Sequence, residues 1–186
     1  MKHPTLAALC ALAAALAASS AIAQSYAGIA LGKRGTQQWR EASGTVLAPS
    51  DRALPVTVYG GYRFTDMLAL EGGFARLSDA DYATAGGETS ARSGALYVAG
   101  KATFAINDRL AWYLKGGVAR NFLVIERPGR PDDKEHNFRP MAAAAIEYRI
   151  TPRLVAVGEL ASYGRIETRT ARMRHNVVQL GARFDF

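Results

Sequence analysis

Cysteine is almost missing from this chain: of 186 residues only Cys10 is one. No disulfide can brace the fold, so its stability must come from strand closure and burial. Histidine is nearly as scarce, with three in all (His3, His136 and His175). That leaves little for a metal-ligating cluster or a His-activated nucleophile. Beyond residue 23 no run reaches the roughly eighteen consecutive apolar residues that a membrane-spanning helix needs. A structure crossing a bilayer would therefore have to be a closed barrel, because hydrocarbon cannot satisfy free backbone groups. Gly60-Gly61, Gly72-Gly73 and Gly116-Gly117 lack a following Lys-Ser/Thr or helix, which excludes phosphate loops. Within strands such pairs allow curvature or close packing.

The first 23 residues stand apart in composition. Lys2 gives a positive start, residues 6–18 are apolar, and Ala21-Ile22-Ala23 is a small-residue cleavage site. These are the marks of a secretory signal peptide over residues 1–23, cut before Gln24. The run is too short for an anchor, and Leu9 before Cys10 argues against a lipoprotein signal. Residues 24–186 are then expected to form one domain. Losing Lys2 lowers the formal charge from +7 to +6. An exported basic chain meets anionic surfaces, with lipopolysaccharide phosphates foremost. Nucleic acid is not an expected partner.

A weak repeat organises that domain. Phe64-Thr65-Asp66-Met67-Leu68, Ile106-Asn107-Asp108-Arg109-Leu110 and Ile150-Thr151-Pro152-Arg153-Leu154 share one form: apolar, Thr or Asn, Asp or Pro, variable, Leu. Asn, Asp and Thr bond their own backbone and Pro presets φ, so each reads as a tight turn joining two alternating runs. The pattern predicts strands over 26–33, 54–64, 68–77, 92–106, 110–122, 138–150, 154–165 and 174–186. Polar loops are expected at 34–53, 78–91, 123–137 and 166–173. Short turns at one end and long loops at the other is the asymmetry of outer-membrane barrels.

The last eight residues put Leu180, Ala182, Phe184 and Phe186 on one strand face and Gln179, Gly181, Arg183 and Asp185 on the other. With Gln179, Gly181, Phe184 and Phe186 at their spacing, this segment resembles the terminal signal strand of bacterial outer-membrane β-barrels, which the barrel-assembly machinery reads. Gly60-Gly61-Tyr62-Arg63-Phe64-Thr65-Asp66, Leu68-Ala69-Leu70-Glu71-Gly72-Gly73-Phe74 and Tyr148-Arg149-Ile150-Thr151-Pro152-Arg153-Leu154 extend the likeness. Over residues 24–186 the chain resembles the OmpA-like transmembrane domain family. The resemblance implies an all-β, eight-stranded antiparallel barrel in the outer membrane of a Gram-negative cell. It also implies an interior filled by charged pairs. The peptidoglycan-binding domain of longer relatives is not expected.

Each strand has an apolar face and a face of charged, tyrosine and small residues. A Lys facing mid-bilayer lipid costs about 2–4 kcal/mol, so Lys101 and Lys115 are expected inside, and Leu114 and Val98 outside. The same parity places Glu71, Glu147, Glu159 and Arg183 inside. Three negative and three positive groups balance, and buried charges persist when paired. They read as an ionic plug, with Glu147 and Lys115 expected to couple. Tyr62, Phe64, Phe104, Trp112, Tyr148, Phe184 and Phe186 gather near the short turns, as in an interfacial girdle. Arg165, Arg169, Arg172 and Arg174 form a basic segment suited to lipopolysaccharide phosphates or a host or surface polyanion. Asp79, Asp81 and Glu88 lack the spacing of a calcium loop, so no metal is expected. No catalytic residue and no cofactor is assigned, since Ser162 has no sequence-near His. The expected function is a non-enzymatic barrel with a structural or loop-binding role. A narrow porin-like channel is the alternative, and a lipid A-modifying enzyme a distant third.

Overall fold

The computed structural model describes residues 24–34, 39–40, 46–47, 51–84, 87–126, 133–167 and 172–186. The expected leader over 1–23 lies outside them. Eight long strands carry the fold: β1 Ser25–Arg34, β2 Val56–Arg63, β3 Leu68–Thr84, β4 Gly87–Ala105, β5 Leu110–Glu126, β6 Asp133–Arg149, β7 Leu154–Glu167 and β8 Arg172–Asp185. Each pairs antiparallel with its sequence neighbour, and β1 pairs with β8 from Tyr26↔Asp185 to Arg34↔Val177. The sheet therefore closes on itself and has no free edge, which an all-β structure in lipid requires. Among the described residues no helix is long and apolar enough to cross a membrane.

The three predicted turns share one bonding scheme. Phe64, Ile106 and Ile150 each donate a backbone N–H to the carbonyl of the Leu four residues on, at 2.8–2.9 Å. Thr65 Oγ1, Asn107 Oδ1 and Thr151 Oγ1 each accept from that Leu's N–H at 2.8–3.0 Å. Short polar side chains are needed there because the hairpin otherwise leaves those amides unpaired.

Register sets the lumen. From Ser25 the ladder runs through Tyr62, Leu70, Gly100, Gly116, Ala142, Ser162 and Asn176. Since Val177, the next residue on β8, pairs with Arg34 on β1, the same count gives a stagger of ten residues around the barrel. Such a stagger tilts the strands, and eight of them leave room inside only for side chains. Where the barrel must close tightly, the chain uses glycine: a Cβ at Gly181 would lie 2.4 Å from the Ile29 carbonyl across the β8–β1 seam.

The apolar face looks outward. Leu114 and Val98 are 47% and 58% exposed, whereas Lys115 and Lys101 are 5% and 4% exposed. Phe104 stacks on Trp112 at 4.5 Å near the short turns, and Phe74 stacks on Phe122 at 5.9 Å higher up. Trp112 and Phe122 stand ten residues apart on β5, about one membrane-spanning strand length.

Two loop expectations are corrected. Over 78–91, β3 and β4 continue as a paired hairpin to Thr84↔Gly87. Over 123–137, strand continues to Glu126 and resumes at Asp133. Outside a bilayer neither face need be apolar, so alternation fades while the backbone ladder persists. Part of the expected 34–53 loop also pairs: Trp39–Arg40 with Val46–Leu47, and Asp51–Arg52 with β3. The register slips between Arg76 and Ser78 and between Ser162 and Arg165, where Gly164 takes φ 82°. Only glycine adopts that backbone without strain.

Candidate functional site: the barrel lumen

All six charges expected inside are buried there, but they form two clusters. In the inner cluster, Lys115 Nζ lies 2.6 Å from Glu71 Oε1 and 2.5 Å from Glu159 Oε2. Tyr26 and Tyr97 hydroxyls donate to Glu71 at 3.0 and 2.8 Å. Tyr113 O–H donates to Glu159. Gln179 Nε2 donates to Glu159 Oε1 at 2.6 Å and its carbonyl accepts from Thr57 Oγ1 at 2.9 Å. Glycine makes the room: a Cβ at Gly61 would sit 2.3 Å from the Tyr26 ring.

The second cluster lies nearer the short turns. Lys101 Nζ is 2.5 Å from Glu147 Oε1, which also receives Arg183 Nη1. Arg183 Nε bonds Asp185 Oδ1 at 2.8 Å, and Asp185 Oδ2 takes Arg63 Nη2 at 2.8 Å. Expected coupling between Glu147 and Lys115 is thereby corrected, because their carboxylate and ammonium belong to different clusters. Register explains it: Lys101 and Lys115 are direct cross-strand partners, and repulsion turns the two ammonium groups toward different carboxylates. The inner cluster has two carboxylates for one cation, whereas the turn-side cluster has three cations for two carboxylates. Charge balances over the two clusters together, four cations against four carboxylates, but not within either one. The Tyr113 ring bridges them, its centroid 4.0 Å from Lys101 Nζ and 4.9 Å from Lys115 Nζ.

Toward the long-loop end the filling changes character. Leu77, Leu123, Met141, Val177 and Tyr163 are all buried, and the Tyr163 and Tyr97 rings meet at 5.8 Å. Asn121 Nδ2 caps this tier by donating to the Tyr163 carbonyl at 2.8 Å. Sequence reading missed the apolar tier because Leu77 sits at a bulge and Leu123 in an expected loop. Extending the parity of Glu71 and Lys115 outward would have found both. It also missed Arg63 and Asp185 as members of the charge network.

Toward the short turns the lumen opens into a cavity of about 540 Å³, lined by eight charged residues of the turns and strand ends among apolar and polar ones such as Met67, Thr103 and Val155. The terminal residues divide: Gln179 and Gly181 face inward, and Phe184 and Phe186 face outward with their rings edge-to-face at 5.4 Å. Phe186 extends the ladder by donating to the Ser25 carbonyl at 3.1 Å. In the basic segment, the backbone register sets Arg165 opposite Arg174 and Glu167 opposite Arg172. The side chains of Arg165, Arg172 and Arg174, and all of Arg169, lie outside the described residues. So do the side chains of Asp79, Asp81, Glu88 and His175, whereas His136 is exposed. Among the described residues no group of three His, Cys, Asp or Glu side chains is placed to hold a metal ion.

Comparison with known proteins agrees with this geometry. A family model described as the outer membrane protein beta-barrel domain matches residues 5–186. Among solved structures, Neisserial surface protein A superposes with a TM-score of 0.63 at 14% identity, covering 87% of this chain and 96% of that one. Ail of Yersinia pestis, crystallised with the heparin analogue sucrose octasulfate, gives 0.56 at 15% identity over 87% and 99%. The N-terminal β-barrel domain of Pseudomonas aeruginosa OprF gives 0.56 at 15% over 88% and 98%. No curated protein matches the sequence.

Proposed function

The chain belongs to the outer membrane protein beta-barrel domain family, and from that membership we propose a non-enzymatic, surface-binding role for this outer-membrane barrel. The lumen acts as a plug, and the work is done where the strands rise beyond the aromatic girdle. There the protein contacts anionic groups, either lipopolysaccharide phosphates or an acidic polysaccharide on another surface. The observation carrying this reading is the register that sets Arg165 directly opposite Arg174. A basic segment rich in Arg carries a concentration of like charge that a bound polyanion would offset. Ail's complex with a sulfated heparin analogue supports the same chemistry for this chain. The test is lipopolysaccharide and heparin binding by the folded protein in neutral detergent. Replacing Arg165, Arg169, Arg172 and Arg174 together by Gln should weaken binding at least about tenfold and flatten its salt dependence. Unchanged affinity in the quadruple variant overturns the reading.

A narrow channel is the second reading, favoured by the charged cavity that opens at the short-turn end. Conductance steps from the unaltered protein in a planar bilayer would establish it. We further propose that residues 1–23 are removed on export and that Phe184 and Phe186 are read by the barrel-assembly machinery.

A further inference from the structure

We infer that the cavity at the short-turn end is a binding site for a small phosphate or carboxylate anion entering from the periplasm. It rests on geometry independent of the surface role proposed above. The cavity of about 540 Å³ is lined by Arg63, Lys101, Arg109, Arg149 and Arg183 against Asp66, Asp108 and Glu147. Asp185 stands just behind, bonded to Arg63 and Arg183, so five cations face four carboxylates. The excess is positive, and its donors are not used up. Lys101 and Arg183 are committed to Glu147. The Arg63 Nε, by contrast, is buried and finds no acceptor among the described residues. Arg149 reaches only the Asp108 carbonyl, at 3.4 Å. The Arg109 guanidinium has no hydrogen bond or ion pair among the described residues. Three arginines from β2, β6 and the second turn thus line one concave space with donors to spare. Planar forks of this kind match the oxygens of phosphate and carboxylate.

Asp66 and Asp108, on the first and second turns, narrow the range of ligands. They disfavour highly charged polyanions and leave room for a singly or doubly charged molecule, including one that carries an ammonium group. The cavity is wide enough for a ligand larger than bare phosphate. It ends on Lys101, Glu147 and Arg183, so an occupant would sit on the turn-side charge cluster without entering the inner one.

The probe is inorganic phosphate, titrated into the folded barrel in neutral maltoside detergent and read by isothermal calorimetry. Arg109→Gln with Arg149→Gln alters exposed groups, and retained heat-modifiable gel mobility confirms folding. This pair should weaken phosphate binding at least tenfold. Arg153→Gln, on the third turn but outside the cavity lining, should change it less than twofold. Glycerol phosphate should bind at least as well as phosphate. Dihexanoyl phosphatidylglycerol, which carries the same group on a lipid, should bind no tighter. Equal loss in Arg153→Gln, no loss in the pair, absence of saturable binding, or a tenfold preference for the lipid would each overturn the inference.

Discussion

Lys115 and Lys101 are the same residue type, directly paired across two strands and equally buried, yet their removal should differ sharply. Among the described residues Glu71 and Glu159 form ion pairs only with Lys115, whereas Glu147 is shared by Lys101 and Arg183. Lys115→Met therefore leaves two buried carboxylates facing each other without a counter-charge. Breaking a buried pair in this way costs about 3–5 kcal/mol. Lys101→Met leaves Glu147 with Arg183 and should cost clearly less. Glu71→Gln added to Lys115→Met should recover part of the loss, because one unpaired carboxylate is removed. Urea titration of folding, followed by gel mobility in detergent, measures all four proteins. Equal destabilisation by the two lysine changes would contradict the two-cluster arrangement. The six charges were legible in the sequence because a period of two, anchored on the lipid-facing leucines, assigns each to the lumen. Who meets whom was not legible. Pairing crosses strands and depends on the ten-residue stagger, which leaves no mark along a single strand. Asp185 and Arg63 fell from view for the same reason, being joined only by closure of β8 onto β1.

Among the elements, the three short turns are the most fully specified by sequence. Thr65, Asn107 and Thr151 stand at equivalent positions, each accepting from the backbone N–H groups two and three residues on. Replacing any one by Ala removes its acceptor and should cost about 0.5–1.5 kcal/mol. The three turns are far apart, so their costs should add. Equilibrium unfolding of the single and triple variants checks this, and a triple variant as stable as the parent would remove the capping role. The outer ends of the strands were the least legible elements. Ser78, Asp79, Ala80, Asp81 and Tyr82 offer no aliphatic side chain larger than that of Ala, yet they continue the ladder against Ser93, Arg92, Ala91, Ser90 and Thr89. Strand patterning reports an environment with two unlike faces. Where both faces are polar, backbone pairing continues without that signature.

At the level of the whole barrel, a lumen that is the plug proposed above contains two barriers in series that work on different principles. Next to the turn-side cavity is a band of ion pairs, which an ion can pass only by exchanging hydration for fixed partners that are already paired. Toward the outer end is a tier of Leu77, Leu123, Met141 and Val177, each no more than 3% exposed, which resists ions by excluding water. Series barriers have a definite consequence: removing either one leaves the other intact. Neutralising the inner cluster with Glu71→Gln, Lys115→Met and Glu159→Gln should leave a planar bilayer silent, although it rearranges the charges a channel would use. Leu77→Ser with Leu123→Ser should also leave it silent, because the ion pairs below are untouched. Discrete conductance steps should appear only when these five changes are joined by Lys101→Met and Glu147→Gln, which remove the turn-side ion pair as well, with gel mobility certifying a folded barrel in every case. If the neutralised inner cluster conducts by itself, neither the apolar tier nor the turn-side pairs are a barrier and the inner cluster alone is the seal. If the leucine pair conducts by itself, the ion pairs are a wetted lining and the channel reading gains.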